Sequence, residues 1–231
     1  MNPFFISTFS YRRDRIIWSG IDRLRSVCAG LIILDLGAPF PIDENIFTAR
    51  ETARAAGMGF QRRKAFIGAR IALKMLARNL GLVEKDKSDG AIETLGADGI
   101  RPHLGDGGIY CSVSHSARFV AAAVDHVPVG IDIETVSNKA VRIGHLFLSS
   151  KENTLVSLSP LGTERAATRV WTIKEAAAKV WGLHLFQAIQ DVEVVKIGET
   201  EGWIHYQGEK YVVGHGEGDG QVITLLTGNV P

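Results

Sequence analysis

Residues 110–134, YCSVSHSARFVAAAVDHVPVGIDIE, read as three consecutive strands. Tyr110–Ser114 alternates, Phe119–Val124 is a compact apolar run, Asp125 and His126 make a turn, and Val129–Glu134 alternates again. On a strand, alternate residues share a face, so Ile131 and Ile133 point into a core while Asp132 and Glu134 leave the opposite face together. Those two side chains depart the backbone about 7 Å apart and can converge on one hard cation that prefers oxygen ligands. An amphipathic strand also shows charge on its wet face by default, so the pair alone leaves both readings open.

Upstream, residues 43–80 read as helix. Asp43 is a candidate cap, Phe66, Leu73, Leu76 and Leu80 fall near helical spacing, Gly57 and Gly59 divide the stretch in two, and Gly81 is a stop. Val27–Leu36 reads as a buried strand punctuated by Pro39 and Pro41, and the Gly- and Asp-rich residues 84–108 read as loop. Downstream, residues 139–183 return to helix, the last running from about Thr163 to Gly182. Val192–Ile197, Trp203–Tyr206, Lys210–Val213 and Val222–Leu226 then form a meander. Helix then strands, twice over, predicts an α+β chain of two pseudo-repeated α/β halves, 1–125 and 126–231, each a small antiparallel sheet with a packed helix. No sequence identity links the halves, so the repeat is one of topology.

Of the 231 residues, 45% are hydrophobic and 22% charged, which predicts a folded chain with a sizeable core rather than disorder. A net charge of +1 gives no whole-chain attraction to nucleic acid or membrane, so any anion site must be a local cluster. The two cysteines, Cys28 and Cys111, stand in no paired spacing and predict free thiols in a reducing compartment. No apolar run approaches the ~18 residues of a membrane helix. The patch Phe4, Phe5, Ile6 precedes Arg12, Arg13 and Arg15, the wrong order for a secretory signal, so the expected location is cytoplasmic.

Three further stretches could carry chemistry. Trp171, Glu175 and Lys179 of WTIKEAAAK line one helical face; Glu175 and Lys179 could be a plain surface ion pair, but the three alanines let something approach closely. Ser112–Ser116, SVSHS, puts a histidine between serines at a strand end, which suits a phosphate or a satisfied turn. Arg62, Arg63, Lys64, Arg70 and Lys74 crowd one helical region, a polyanion site or a solvated basic face, and Arg101 before Pro102 could join the same anion. His103, His126, His145, His184, His205 and His215 show no pairing that suggests zinc.

In this order, S-H-S at 114–116, G-I-D-I-E at 130–134 and W-x-x-K-E-A-x-x-K at 171–179 resemble the 4′-phosphopantetheinyl transferase superfamily, in the monomeric two-half type serving non-ribosomal peptide, polyketide or siderophore synthetases. The stretch Arg63–Arg70, RKAFIGAR, looks like that family's basic helix, although Ala69 separates the glycine and arginine that commonly adjoin, and Arg101 stands where the family often has lysine. The resemblance implies an active site in a cleft between the halves. There the phosphopantetheine arm of coenzyme A would pass to a serine of an apo acyl or peptidyl carrier protein, releasing adenosine 3′,5′-bisphosphate. It implies that Asp132, Glu134 and Glu175 hold Mg²⁺, or Mn²⁺, and that Glu175 is the base. Lys179 would touch the transferring phosphates, with Lys174 beside it. Ser114, His115, Arg63 and Arg101 would bind the 3′-phosphate. The family's docking mode points the carrier at Val141, Leu146, Phe147 and Leu148, which also read equally well as core. The rival readings are a non-catalytic regulator that binds a carrier or coenzyme A, and a metal-dependent nucleotide pyrophosphatase.

Overall fold

The computed structural model describes residues 19–37, 44–99, 101–105 and 107–228. Phe4, Phe5, Ile6, Arg12, Arg13, Arg15, Pro39, Pro41 and Asp43 therefore lie outside the described residues.

The three strands of the 110–134 stretch are β2 (Tyr110–His115), β3 (Phe119–Asp125) and β4 (Val129–Thr135), but they do not form one sheet. With β1 (Gly30–Asp35), the first two make a three-stranded antiparallel sheet of order β1-β3-β2. Both edges of β3 are thus taken, and β4 crosses after Pro128 into a second sheet. That sheet has the order β4-β8-β7-β6-β5, where β5 is Glu193–Ile197, β6 Glu201–Tyr206, β7 Glu209–Gly218 and β8 Gln221–Thr227.

Each sheet has its long helix. Ala49–Ala56 (α2) precedes α3 (Phe60–Asn79), whose Ala65, Ala69, Ala72, Leu73 and Leu76 are buried with Ile32, Val120 and Ala122 of the first sheet. Asn138–Arg142 (α4), Ser150–Ser157 (α5) and α6 (Thr163–Trp181) follow β4, and α6 buries Val170, Ile173, Ala176, Ala177 and Val180 with Ile204, Val213 and Leu226. The apolar periodicity that predicted these helices is the periodicity that packs. The order within each unit is strand, helix, strands rather than helix then strands. In both units the strand before the long helix pairs antiparallel with the last strand, β1 with β3 and β4 with β8.

The described chain divides into two compact units, residues 28–127 and residues 19–27 with 128–228. Residues 19–27, expected in the first half, belong to the second unit because Ser19 bridges Glu217 and the helix Ile21–Ser26 (α1) packs on β7. A further helix, α7 (Leu185–Asp191), escaped the sequence reading: seven residues with only Ala188 buried show no apolar face. No helix among the described residues is long and apolar enough to cross a membrane.

Both short helices α2 and α5 start on a reciprocal capping box, Thr48 with Glu51 and Ser149 with Glu152. The motif is visible in sequence as T-x-x-E and S-x-x-E.

Candidate functional site

The acids stand where β4 and α6 touch. A Cβ on Gly130 would lie 2.0 Å from the carbonyl oxygen of Ala176, so strand and helix backbones meet with no side chain between them. Ala176, Ala177 and Ala178 are all buried, and it is Ala176 that meets β4. The contact brings the Lys179 ammonium to β4, where it donates to the Ile131 carbonyl at 2.7 Å and to Asp132 Oδ1 at 2.9 Å. Lys179 pairs across to the strand, not along its own helix to Glu175.

The acid face of β4 is therefore not the wet face. Gly130, Asp132 and Glu134 lie opposite Leu226, Thr224 and Val222 of β8, and Thr224 and Leu226 pack under α6. Asp132 is 4% exposed. Ile131 and Ile133 leave the other face and are buried too. Charge placed on a helix-covered face costs free energy unless it is compensated, which counts against the default reading of a solvated stripe.

Glu134 and Glu175 have carboxyls pushed above the usual range, first by burial and then by the charge of Asp132. Lys179 pulls both back, and Lys139 of α4 also draws Glu134 down. The three acids thus feel one another, although among the described residues no three His, Cys, Asp or Glu side chains form a ready-made metal cluster. Beside Glu134 lies a pocket of about 60 Å³ whose lining includes Lys139, Ile143, Thr168 and Trp171. Trp171 is edge-on to Phe147 at 5.1 Å, and Trp181 stacks on Tyr206 at 4.1 Å, so both tryptophans anchor α6. Lys139 was missed in sequence because an exposed lysine on a five-residue helix carries no spacing signal.

Deeper under α6, Thr172 Oγ1 meets Thr224 Oγ1 at 2.6 Å, and His215 Nδ1 lies 2.9 Å from the same Thr224 oxygen. His215 is fully buried, and burial pushes its pKa down to about 3.

The expected 3′-phosphate residues all lie in the first unit. Ser114 and His115 end β2, half-buried and exposed respectively. Ser116 caps the turn, its hydroxyl accepting from the Phe119 N–H at 3.2 Å. Arg63 is exposed on the first turns of α3, and Arg101 is exposed beside Asp98 at 3.7 Å.

Three of the cations singled out in sequence have other work. Lys174, expected beside the phosphates, is 1% exposed and paired with Glu152 at 2.7 Å, and it also donates to the Ile189 and Val192 carbonyls. Lys74 is equally buried against Glu51 at 2.7 Å. Arg70 donates to the Thr94 carbonyl at 2.6 Å and lies over the Phe66 ring. Ammonium and guanidinium groups buried against protein acceptors do not greet a polyanion, so the basic cluster shrinks to Arg62, Arg63 and Lys64. Of the expected carrier-facing residues, Leu146 is 64% and Val141 37% exposed, Leu148 is half-buried, and Phe147 is core.

Comparison with known proteins finds its match around these acids. Residues 128–225 match the 4′-phosphopantetheinyl transferase superfamily. That stretch runs from the start of β4 into β8 and so contains the whole β4–α6 site. The chain is also 29% identical over 103 residues to the 4′-phosphopantetheinyl transferase gsp of Aneurinibacillus migulanus, covering 44% of this chain and 43% of that protein. It is 38% identical over 72 residues to the 4′-phosphopantetheinyl transferase psf-1 of Bacillus pumilus, 31% of either chain. The matched segments thus span less than half the length of these relatives. The resemblance read from the motifs holds for the second unit.

Proposed function

We propose that the chain transfers the phosphopantetheine arm of coenzyme A to a serine of an apo acyl or peptidyl carrier protein. One observation carries this reading: two strand carboxylates, a helix carboxylate and a helix lysine are drawn together at the β4–α6 contact, inside the stretch that matches the superfamily. Both relatives bear the name of this transferase.

The donor set fits a magnesium ion that arrives with a pyrophosphate. Mg²⁺ takes one or two carboxylates plus waters and substrate phosphates rather than an all-protein cage. Asp132, Glu134 and Glu175 supply hard oxygens whose mutual repulsion a cation relieves. When bound, the ion screens phosphate charge at the reacting phosphorus. Lys179 then neutralises charge on the transferring group from its seat against Asp132. Glu175, its carboxyl raised by burial toward the working pH, takes the proton of the carrier serine, directly or through a water. That oxygen attacks the phosphorus bearing the pantetheine arm, and adenosine 3′,5′-bisphosphate leaves. In the first unit Ser114, His115, Arg63 and Arg101 bind the 3′-phosphate.

The carrier meets the exposed Leu146 and Val141. The segment from Thr135 to Lys151 holds Lys139, Arg142, His145 and Lys151 and no acid, so this surface suits an acidic, partly apolar partner.

The test is intact mass spectrometry of apo carrier domains incubated with the protein, coenzyme A and Mg²⁺. The carrier gains the mass of one phosphopantetheine arm, only with metal, and Glu175→Gln slows the gain by ~10²–10⁴-fold. Coenzyme A consumed without a carrier would instead mark a pyrophosphatase. Coenzyme A bound but never transferred would mark a regulator.

A further inference from the structure

We infer that Lys174 is a positioning residue, whose buried bond to Glu152 sets the rotation of α6 and so holds Glu175 at the reacting centre. The inference rests on the transferase reading above.

The ammonium of Lys174 uses all three of its donors inside the protein, on Glu152 Oε1 at 2.7 Å, the Ile189 carbonyl at 3.2 Å and the Val192 carbonyl. Glu152 is just as fully engaged. Its Oε2 accepts from the Ser149 N–H at 2.8 Å in the capping box, and its Oε1 accepts from the Val194 N–H at 2.8 Å. One charged pair thus ties α6 to the start of α5, to α7 and to the edge strand β5. On the other side of Glu175, Ala176 has its carbonyl against Gly130. Glu175 therefore stands between two neighbours fixed to different elements, one by charge and one by backbone contact. Consecutive helical residues point about 100° apart, so Lys174 faces the frame and Glu175 does not.

Stability alone gives little reason to keep such a pair, since replacing both buried charges with neutral groups is often harmless. Geometry does give one, because a displacement of about 1 Å at a reacting group costs on the order of 10²-fold in rate.

The other unit supplies the control. Lys74 bonds Glu51 at 2.7 Å and donates to the Ile46 and Asp89 carbonyls at 2.8 and 2.9 Å. Glu51 closes the α2 capping box and accepts from the Thr94 N–H at 3.2 Å. The frame is the same, but Met75 follows Lys74 where Glu175 follows Lys174.

The experiment compares two paired variants of the full chain, Lys174→Met with Glu152→Gln and Lys74→Met with Glu51→Gln. Each removes both charges and leaves a carbonyl for the Val194 or the Thr94 N–H. Steady-state transfer to a carrier is measured well below the Tm of each. The expected result is a kcat lowered roughly tenfold to a hundredfold in the Lys174 pair, with KM for coenzyme A within about twofold, and kcat unchanged in the Lys74 pair. Equal kcat in the two pairs, or a loss confined to KM, overturns the inference while leaving the transferase reading intact. No transfer by the parent protein overturns both. If the Lys174 pair does not fold, Glu152→Gln alone is read against Glu51→Gln. A kcat deficit limited to Glu152→Gln supports the inference, and none overturns it.

Discussion

The two units use one scaffold for opposite ends. In each, a capping-box glutamate is buried against a lysine of the long helix, and the strand before that helix pairs with the last strand of its sheet. The glycines differ. On α3, a Cβ at Gly68 would meet side-chain tips, Leu36 Cδ2 at 2.7 Å and Val120 Cγ2 at 3.2 Å, whereas on β4 Gly130 meets helix backbone. At Gly68 helix and strand meet through side chains that can give. At Gly130 they meet through main chain that cannot, and the acids stand there. A rigid close contact is what a site needs when several like charges must be held against their own repulsion.

The largest effect should come from making α6 read like α3. Glu175→Met should lower transfer by at least the ~10²-fold expected of a lost base. It should also raise the Tm at pH 8, because a half-buried carboxylate that feels the charge of Asp132 is removed. The sign follows from linkage: a carboxyl raised in the folded state costs stability as pH climbs through its folded pKa. Thermal melts of both proteins at pH 5 and pH 8 check it, and an equal shift at the two pH values would count against the assignment. By the same sign, Mg²⁺ should raise the Tm of the parent protein more at pH 8 than at pH 5, and much less in Glu134→Gln.

Next in size, Gly130→Ala should destabilise by about 2 kcal/mol through overpacking against an immovable carbonyl. Gly68→Ala should fall within about 1 kcal/mol of zero, since its neighbours are side-chain tips and alanine favours helix by nearly that amount. Denaturant titration of the two decides it.

A pH-limited effect belongs to His215. Its folded pKa of about 3 lies below the ordinary value of 6.5, so its neutral form supports the fold fully above pH 6.5. That support drains away as pH falls toward 3, by at most roughly 1.4 kcal/mol per pH unit. His215→Gln should flatten the slope. The smallest expected change is in Leu146→Ala, a severalfold rise in KM for the carrier with coenzyme A untouched. Phe147→Ala should instead cost stability, about 3–5 kcal/mol.

Much of this was legible in the sequence because periodicity is local. Both long helices, the meander and the strands at 110–134 follow from spacing, and so does the pairing of Asp132 with Glu134 on one face. Which face was not legible, since an amphipathic strand and a strand carrying acids beneath a helix share one pattern. That both edges of β3 are taken was hidden too, because one of them is filled by β1, eighty-odd residues earlier. Lys174 and Lys74 read as free cations because their partners, Glu152 and Glu51, lie on other helices. The S-x-x-E and T-x-x-E boxes ahead of each long helix were the available clue, since a capping glutamate keeps acceptor capacity to share.

The backbone contact at Gly130 also sets the unit of exchange between relatives. A helix transplanted alone would meet a strand shaped for another helix, and side chains could not fill a gap that has no room for a Cβ. Chimeras should therefore keep function only when 129–135 and 163–181 travel together, as one inherited piece.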